Sequence, residues 1–189
     1  MADVAIPEAR GRPSSLSAYY LIRAAVAAVW VALAFILGAA SPLIGVVLLV
    51  VYPAWDAVAN VLDARGSGGL RSNPSQTANA VISIVAAIAM GVSAQSGIHA
   101  MIAVFGLWAI LAGLFQLVTG VRRWRTYGAQ WVMVLSGAQS VLAGGFFFHM
   151  SSTPAALSIA TVAGYAGFGA FYFLISAIWI RVKAARSKA

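Results

Sequence analysis

Residues 98–125 read IHAMIAVFGLWAILAGLFQLVTGVRRWR. The run from residue 98 to residue 121 contains no Asp, Glu, Lys or Arg, and it exceeds the roughly 20 residues that a helix needs to cross a bilayer. Three arginines, Arg122, Arg123 and Arg125, follow within four residues. Because basic residues in short connections stay on the cytoplasmic side of a membrane, this stretch predicts a transmembrane helix that ends in the cytoplasm.

The same alternation recurs along the whole chain and predicts six transmembrane helices. Hydropathy and the flanking residues place them at 18–39, 43–62, 76–94, 98–121, 128–149 and 154–180. Basic residues lie before the first helix, in every second connection and after the sixth helix: Arg10, Arg12, Arg65, Arg71, Arg122, Arg123, Arg125, Arg181, Lys183, Arg186 and Lys188. The other three connections carry no charge. We therefore expect a multi-pass protein with both termini in the cytoplasm.

The composition favours the same interpretation, since 62% of the residues are hydrophobic and only 8% are charged. A net charge of +8 in a soluble protein would suggest nucleic acid as a partner. Here the basic residues flank apolar helices on one side, so topology explains them, and the expected partners are the bilayer and its anionic lipids. The chain has no cysteine, which excludes disulfides and thiolate metal sites.

The predicted organisation is one membrane domain with short polar ends. Residues 1–16 are expected to be a mobile cytoplasmic tail, residues 17–182 the six-helix domain and residues 183–189 a basic cytoplasmic tail. The connection at 63–75, which reads DARGSGGLRSNPS, is expected to be a flexible cytoplasmic loop.

Very short uncharged connections, at residues 40–42, 95–97 and 151–153, predict that the helices form three antiparallel hairpins. The hairpins begin near residues 18, 76 and 128, and their second helices align loosely, which indicates an internal repeat. Hairpins that all enter from one side are parallel repeats about an axis along the membrane normal. The predicted fold is an all-α membrane protein with three hairpin repeats in one bundle.

Small residues recur four apart within the predicted helices, a spacing that lets helix backbones approach closely in lipid. Ser136, Ser140 and Gly144 form one such row in the fifth helix. We favour packing inside the bundle over a dimer interface, and a homo-oligomer or a membrane-protein partner stays an alternative.

Two charged residues fall inside the predicted membrane segments, where each is costly and therefore a candidate for function. Arg23 lies about one turn into the first helix, and Asp56 lies at a similar depth in the second. Because the two helices form a hairpin, an ion pair between Arg23 and Asp56 is expected. Asn60 lies four residues after Asp56 on the same helix face and could complete its hydrogen bonding.

This pair has two interpretations. It could simply hold the first hairpin together, which we favour, or Asp56 could change its protonation in a proton-linked step. Gln116 in the fourth helix and Gln139 in the fifth could line a polar path with Asp56, although glutamines in membranes more often bridge helices.

Both histidines, His99 and His149, fall at the uncharged ends of predicted helices. Histidine titrates near neutral pH, so the two could sense acidification, although ordinary boundary residues are favoured. They belong to different hairpins and have no acidic neighbour, so no metal site is expected.

Catalytic patterns are not found: the sequence has no Walker loop, HExxH motif or nucleophile elbow. Its only acids are Asp3, Glu8, Asp56 and Asp63, which leaves little for general acid or base chemistry. We therefore expect neither an enzyme nor a bound cofactor.

Four segments resemble the HdeD-like bacterial membrane proteins. They are LIRAAVAAVWVALAFILG from residue 21, YPAWDAVANVLDA from 52, FGLWAILAGLFQLVTGVRRWR from 105 and WVMVLSGAQSVLAGGFFF from 131. The family has Arg-Gly in its first helix and Asp-Gly in its second, whereas here Ala24 follows Arg23 and Ala57 follows Asp56. The resemblance implies a six-helix protein of the bacterial inner membrane with a role in acid resistance, and only Arg23 and Asp56 match a family motif.

Two functional hypotheses stay open. In the first, which we favour, the protein is a non-enzymatic bundle that supports acid or envelope stress tolerance through lipids or protein partners. In the second, it is a small proton-linked transporter or channel that uses Asp56 and Arg23. An Asp56 that contacts only Arg23 in a dry hairpin would weaken the second hypothesis, and an Asp56 that faces a polar cavity would strengthen it.

Overall fold

The computed structural model describes residues 13–122, 124 and 130–186, and within these ranges it contains helices and no strand. The six long helices are α1 (Pro13–Leu33), α2 (Pro42–Gly66), α3 (Pro74–Ser93), α4 (Ile98–Arg122), α5 (Gln130–Met150) and α6 (Ala160–Arg186). A π-helical turn (Ala34–Gly38) extends α1, and 3₁₀ turns lie at Leu70–Ser72 and Ala94–Ser96. All six helices are long and apolar enough to cross a membrane. The prediction of an all-α, six-helix membrane protein is confirmed.

The helices alternate in direction, so the bundle has two different ends. We call one the basic end, because its described residues include Arg65, Arg71, Arg122, Arg181, Lys183 and Arg186. We call the other the uncharged end, because the connections 39–41, 94–97 and 151–159 carry no charged residue. Arg10, Arg12, Arg123, Arg125 and Lys188, which also supported the predicted topology, lie outside the described residues.

The predicted hairpins pair α1 with α2, α3 with α4 and α5 with α6, but the most extensive helix contacts in the structure are partly between other helices. α4 packs most extensively against α5, α1 against α6, and α2 against α3, whereas α1 with α2 and α5 with α6 make fewer contacts. The predicted hairpin of α3 and α4 packs well. Short connections make two helices antiparallel neighbours, but in lipid the extent of packing depends on where small residues allow close approach.

Glycines allow the closest approach in the bundle, between α4 and α5. A Cβ atom added to Gly144 would lie 2.5 Å from the carbonyl oxygen of Gly106, and one added to Gly113 would lie 2.7 Å from that of Gly137. Ser136 and Ser140 from the predicted small-residue row are buried on the same helix. This row therefore packs inside the bundle.

The uncharged end contains a dense apolar core. Phe105 is fully buried at its centre, with ring centroids 5.3 Å from Trp108, 5.9 Å from Phe147 and 5.9 Å from Tyr165. Met90 and Met101 are also fully buried there. Contact between aromatic edges and faces adds to the apolar packing, so this half of the bundle is closed.

The connection after α5 is longer than the predicted turn at 151–153, because α6 begins at Ala160. The hydroxyl of Ser151 donates to the Phe148 carbonyl at 2.6 Å, and that of Thr153 donates to the Met150 carbonyl at 2.8 Å. These bonds satisfy carbonyls at the end of α5, and Pro154 disfavours helical backbone in the residue before it.

The connection predicted as a flexible loop at 63–75 is mostly regular structure. α2 continues to Gly66, and the Asn73 side chain donates to the carbonyls of Ser67 at 2.8 Å and Gly69 at 2.9 Å. At the chain ends, α1 already begins at residue 13 and α6 runs to residue 186. Residues 1–12 of the predicted tail at 1–16 and residues 187–189 of the predicted tail at 183–189 lie outside the described residues.

Candidate functional site

A cavity of about 130 Å³ lies in the half of the bundle nearer the basic end, and all six helices line it. Its polar lining residues include Tyr19, Arg23, Asp56, Asn60, Asp63, Gln76, Asn79, Gln116, Thr119, Ser136, Gln139, Ser140, Tyr165 and Tyr172. The lining reaches the basic end at Asp63 and Thr119, and it stops at Tyr52 and Trp108, where the apolar core begins. The cavity is therefore closed toward the uncharged end.

Arg23 and Asp56 form an ion pair in the wall of this cavity. The Nη2 atom of Arg23 donates to Oδ1 of Asp56, and the two side chains are only 15% and 12% exposed. The guanidinium also lies 4.3 Å from the ring centroid of Phe173 on α6, a cation–π contact. The pair thus connects α1, α2 and α6, and it lies within the predicted membrane segments.

The second oxygen of Asp56 accepts three further hydrogen bonds. Oδ2 accepts from Asn60 at 2.9 Å, from Ser83 at 2.9 Å and from Asn79 at 3.2 Å. An ionised carboxylate accepts about four hydrogen bonds and donates none. Four donors around Asp56 therefore suit the ionised form of the side chain.

A second layer of hydrogen bonds holds these donors in place. The indole N–H of Trp108 donates to the Ser83 hydroxyl at 3.0 Å, which links the network to α4 and to the apolar core. Arg23 donates to the Tyr19 hydroxyl at 3.1 Å, and that hydroxyl donates to the Ala59 carbonyl at 2.9 Å. The Asp56 site is thus fixed by residues from four helices.

The other predicted polar residues lie in the same cavity at different places. Gln116 lines it from α4, and the carbonyl oxygen of Gln139 accepts a hydrogen bond from the Tyr172 hydroxyl, which bridges α5 and α6. The structure brings Asn60 into contact with Asp56, whereas Gln139 contacts Tyr172. A continuous polar path across the bundle would have to pass through the apolar core.

The two histidines lie at the uncharged end, away from the cavity. A ring nitrogen of His99 is 3.1 Å from the Ser151 carbonyl oxygen, and His149 is exposed. Among the described residues, no group of three or more His, Asp and Glu side chains could hold a metal ion.

Sequence reasoning missed Asn79, Ser83 and Tyr19. Asn79 and Ser83 lie four residues apart in α3, so one face of this helix carries polar groups toward Asp56. Tyr19 precedes Arg23 by one helical turn. Polar residues at helical spacing inside a membrane segment are the signal that could have identified all three.

A family model matches residues 78–149, which cover most of α3, all of α4 and nearly all of α5. The family is DUF308, described as a short repeat of unknown function. The matched segment includes Asn79, Ser83 and the glycines between α4 and α5, while Arg23 and Asp56 lie before it. A search of curated proteins finds no match, and a search of solved structures finds none either.

Proposed function

We propose that this protein is a small transporter that takes a polar solute or a proton into the cavity between its six helices. The observation that carries the proposal is that the Arg23–Asp56 pair lies in the wall of a polar cavity and contacts more than one hairpin. Charged side chains are expensive inside a membrane and usually mark a pathway or a binding site. A bundle that only had to pack could fill this space with apolar side chains.

Entry from the basic end fits the position of the cavity. Ser75, Asp63 and Thr119 line the cavity near that end, and Gln116 and Gln139 lie farther in. Release on the other side requires the core around Phe105 to open. We infer an alternating mechanism in which the aromatic core separates to complete the path, as rocking of repeats does in many transporters.

The proposed location is the bacterial inner membrane, with the basic end and both termini in the cytoplasm. The basic residues at one end and the uncharged connections at the other support this orientation. The basic end would attract anionic lipid headgroups. We propose no enzymatic activity and no cofactor, since the cavity holds two acids and no cysteine.

The proposal is tested by proton flux into sealed proteoliposomes that hold a pH-sensitive dye. The parent and Asp56→Asn are compared at outside pH values of about 5 and 7, which cover the range of histidine titration. Gln116→Leu changes the cavity without touching the ion pair, and Gln95→Ala alters an exposed amide at the uncharged end as a control. We expect less flux in Asp56→Asn and Gln116→Leu than in the parent, and parental flux in Gln95→Ala.

Parent flux equal to that of empty liposomes would contradict a proton-linked step. Flux retained by both Asp56→Asn and Gln116→Leu would place any pathway outside the cavity. The first outcome would leave a polar solute as the transported species, and the second outcome would favour the second candidate function.

The second candidate is a non-enzymatic protein of HdeD type that supports acid or envelope stress tolerance through lipids or protein partners. It is favoured by the four donors around Asp56, because protonation of this carboxylate would disrupt bonds that only an acceptor can make. In this function, His99 and His149 are the candidate pH-sensing residues, and both lie at the uncharged end.

Survival of acid-treated cells with and without this chain tests the second candidate. We expect fewer survivors without the protein than with it, and fewer survivors with the double variant in which Gln replaces His99 and His149 than with the parent chain. Equal survival of cells with and without the protein would exclude the acid-stress role.

A further inference from the structure

A groove of about 340 Å³ lies between α2 and α3 on the outer surface of the bundle. Its walls are exposed apolar side chains, Val58 and Leu62 on α2 and Ile84 and Ile88 on α3. Asp56 and Asn60 are buried on the other side of α2, so this groove is separate from the cavity. In a membrane the groove faces the lipid.

Small residues form the bottom of the groove, and one charge lies at its end. Ala57 is buried and Ala87 is half-buried, so a narrow chain can lie against the two helix backbones. Among the described residues that line the groove, Arg65 is the only one with a charged or polar side chain. It is exposed, and no acidic side chain pairs with it in the part of the chain that the structure describes.

The length of the groove matches one leaflet of a bilayer. From Ala54 to Arg65 the α2 axis rises about 16 Å at roughly 1.5 Å per residue. Half of the hydrocarbon thickness of a bilayer is about 15 Å. When Arg65 lies at headgroup depth, Ala54 lies near the bilayer centre, so one acyl chain from that leaflet fits along the groove.

We propose that this groove is a binding site for an anionic phospholipid of the leaflet at the basic end. One acyl chain lies between α2 and α3, and Arg65 binds the headgroup phosphate. Basic residues beside grooves between transmembrane helices bind such headgroups, and a guanidinium matches the geometry of phosphate oxygens. Unlike general attraction to a basic surface, this site depends on one arginine and one groove.

A second copy of the chain fits the groove less well. A two-fold axis along the membrane normal places the same surface of each copy against the other. Two Arg65 guanidiniums would then lie at one depth on facing surfaces and repel each other. A phospholipid supplies the opposite charge at that depth instead.

Native mass spectrometry of the full chain in detergent tests the headgroup contact. The probes are phosphatidylglycerol and phosphatidylcholine with identical acyl chains, so only the headgroup differs. We expect the parent to retain phosphatidylglycerol about fivefold better, and Arg65→Gln to lose this preference. Arg71→Gln is the matched control, because Arg71 lies at the same end outside the groove. An unchanged preference in Arg65→Gln, or an equal loss in Arg71→Gln, would overturn the proposal.

A second pair of variants tests the groove itself. Ala87→Phe fills the bottom of the groove from the lipid side, while Ala32→Phe adds the same ring at an exposed position on α1. We expect Ala87→Phe to lower the retention of both lipids and Ala32→Phe to leave it unchanged. Parental retention in Ala87→Phe would exclude acyl-chain binding in the groove. Loss of a dimer in Ala87→Phe, measured by size exclusion, would show that a second copy occupies the groove.

Discussion

The two halves of this bundle are built from the same six helices but are held together in different ways. Near the basic end, the helices surround a cavity, and α1, α2 and α3 are joined by the hydrogen bonds and ion pair of Asp56. Near the uncharged end, buried aromatic and methionine side chains around Phe105 fill the space. Apolar packing tolerates no cavity without a loss of contacts, whereas polar side chains that bond to one another can surround one.

This difference shows which interactions stabilise each half of the molecule. In lipid, burial of apolar groups gives little driving force, so close packing and internal hydrogen bonds hold helices together. The uncharged half uses close packing, and the basic half uses hydrogen bonds around Asp56. Trp108 belongs to both, because its ring packs on Phe105 and its N–H donates to Ser83. Substitutions in each half should therefore have different consequences.

The largest effect is expected for Asp56→Asn in the basic half. The substitution leaves Arg23 buried without its counter-charge, and removal of one partner from a buried pair costs about 3 kcal/mol or more. Thermal unfolding in detergent should show a clear loss of stability across the neutral pH range. A variant that melts like the parent would mean that the pair contributes nothing to the fold.

A smaller but still large loss is expected for Gly144→Ala in the packed contact between α4 and α5. The new methyl group would lie 2.5 Å from the Gly106 carbonyl oxygen and 2.8 Å from the Ile110 backbone nitrogen. Overpacking of this kind costs about 2 kcal/mol. Gly145→Ala is the matched control, because nothing lies within 4 Å of its Cβ position. Equal melting temperatures for the two variants would refute the close contact.

Replacing both Arg23 and Asp56 tests whether the unpaired charge causes the loss of stability in the basic half. Arg23→Gln combined with Asp56→Asn should recover about 1.5 kcal/mol of the loss seen in Asp56→Asn, because no unpaired charge is left buried. The melting temperature of the double variant should lie between those of the parent and the single variant. A double variant less stable than Asp56→Asn would show that Arg23 stabilises the fold without Asp56, for example through Phe173.

The smallest effect is expected at the boundary between the halves. Trp108→Phe keeps an aromatic ring beside Phe105 but removes the bond to Ser83, so it should cost about 1 kcal/mol. Trp131→Phe is a control on the outer part of the bundle, where the indole packs against Trp179. If both variants lose the same stability, the bond to Ser83 does not connect the two halves.

Much of the site could be expected from the sequence, and the reasons are local. Arg23 and Asp56 lie at similar depths in consecutive helices, and the structure pairs them. Asn60 follows Asp56 by one turn and donates to it. The contacts of Asp56 with Asn79 and Ser83 could not be derived in this way, because they depend on how α3 rotates against α2. Likewise, Tyr172 rather than Asp56 lies beside Gln139.

The sequence alone determined the six helices and their alternation, because bilayer thickness and backbone hydrogen bonding leave a long apolar segment little choice but a spanning helix. The tertiary structure decided which helices pack closely, where the cavity lies and which surface carries the groove at Arg65. Those features depend on small residues and polar groups from helices far apart in the chain. No local pattern in one helix specifies the rotation of its neighbour.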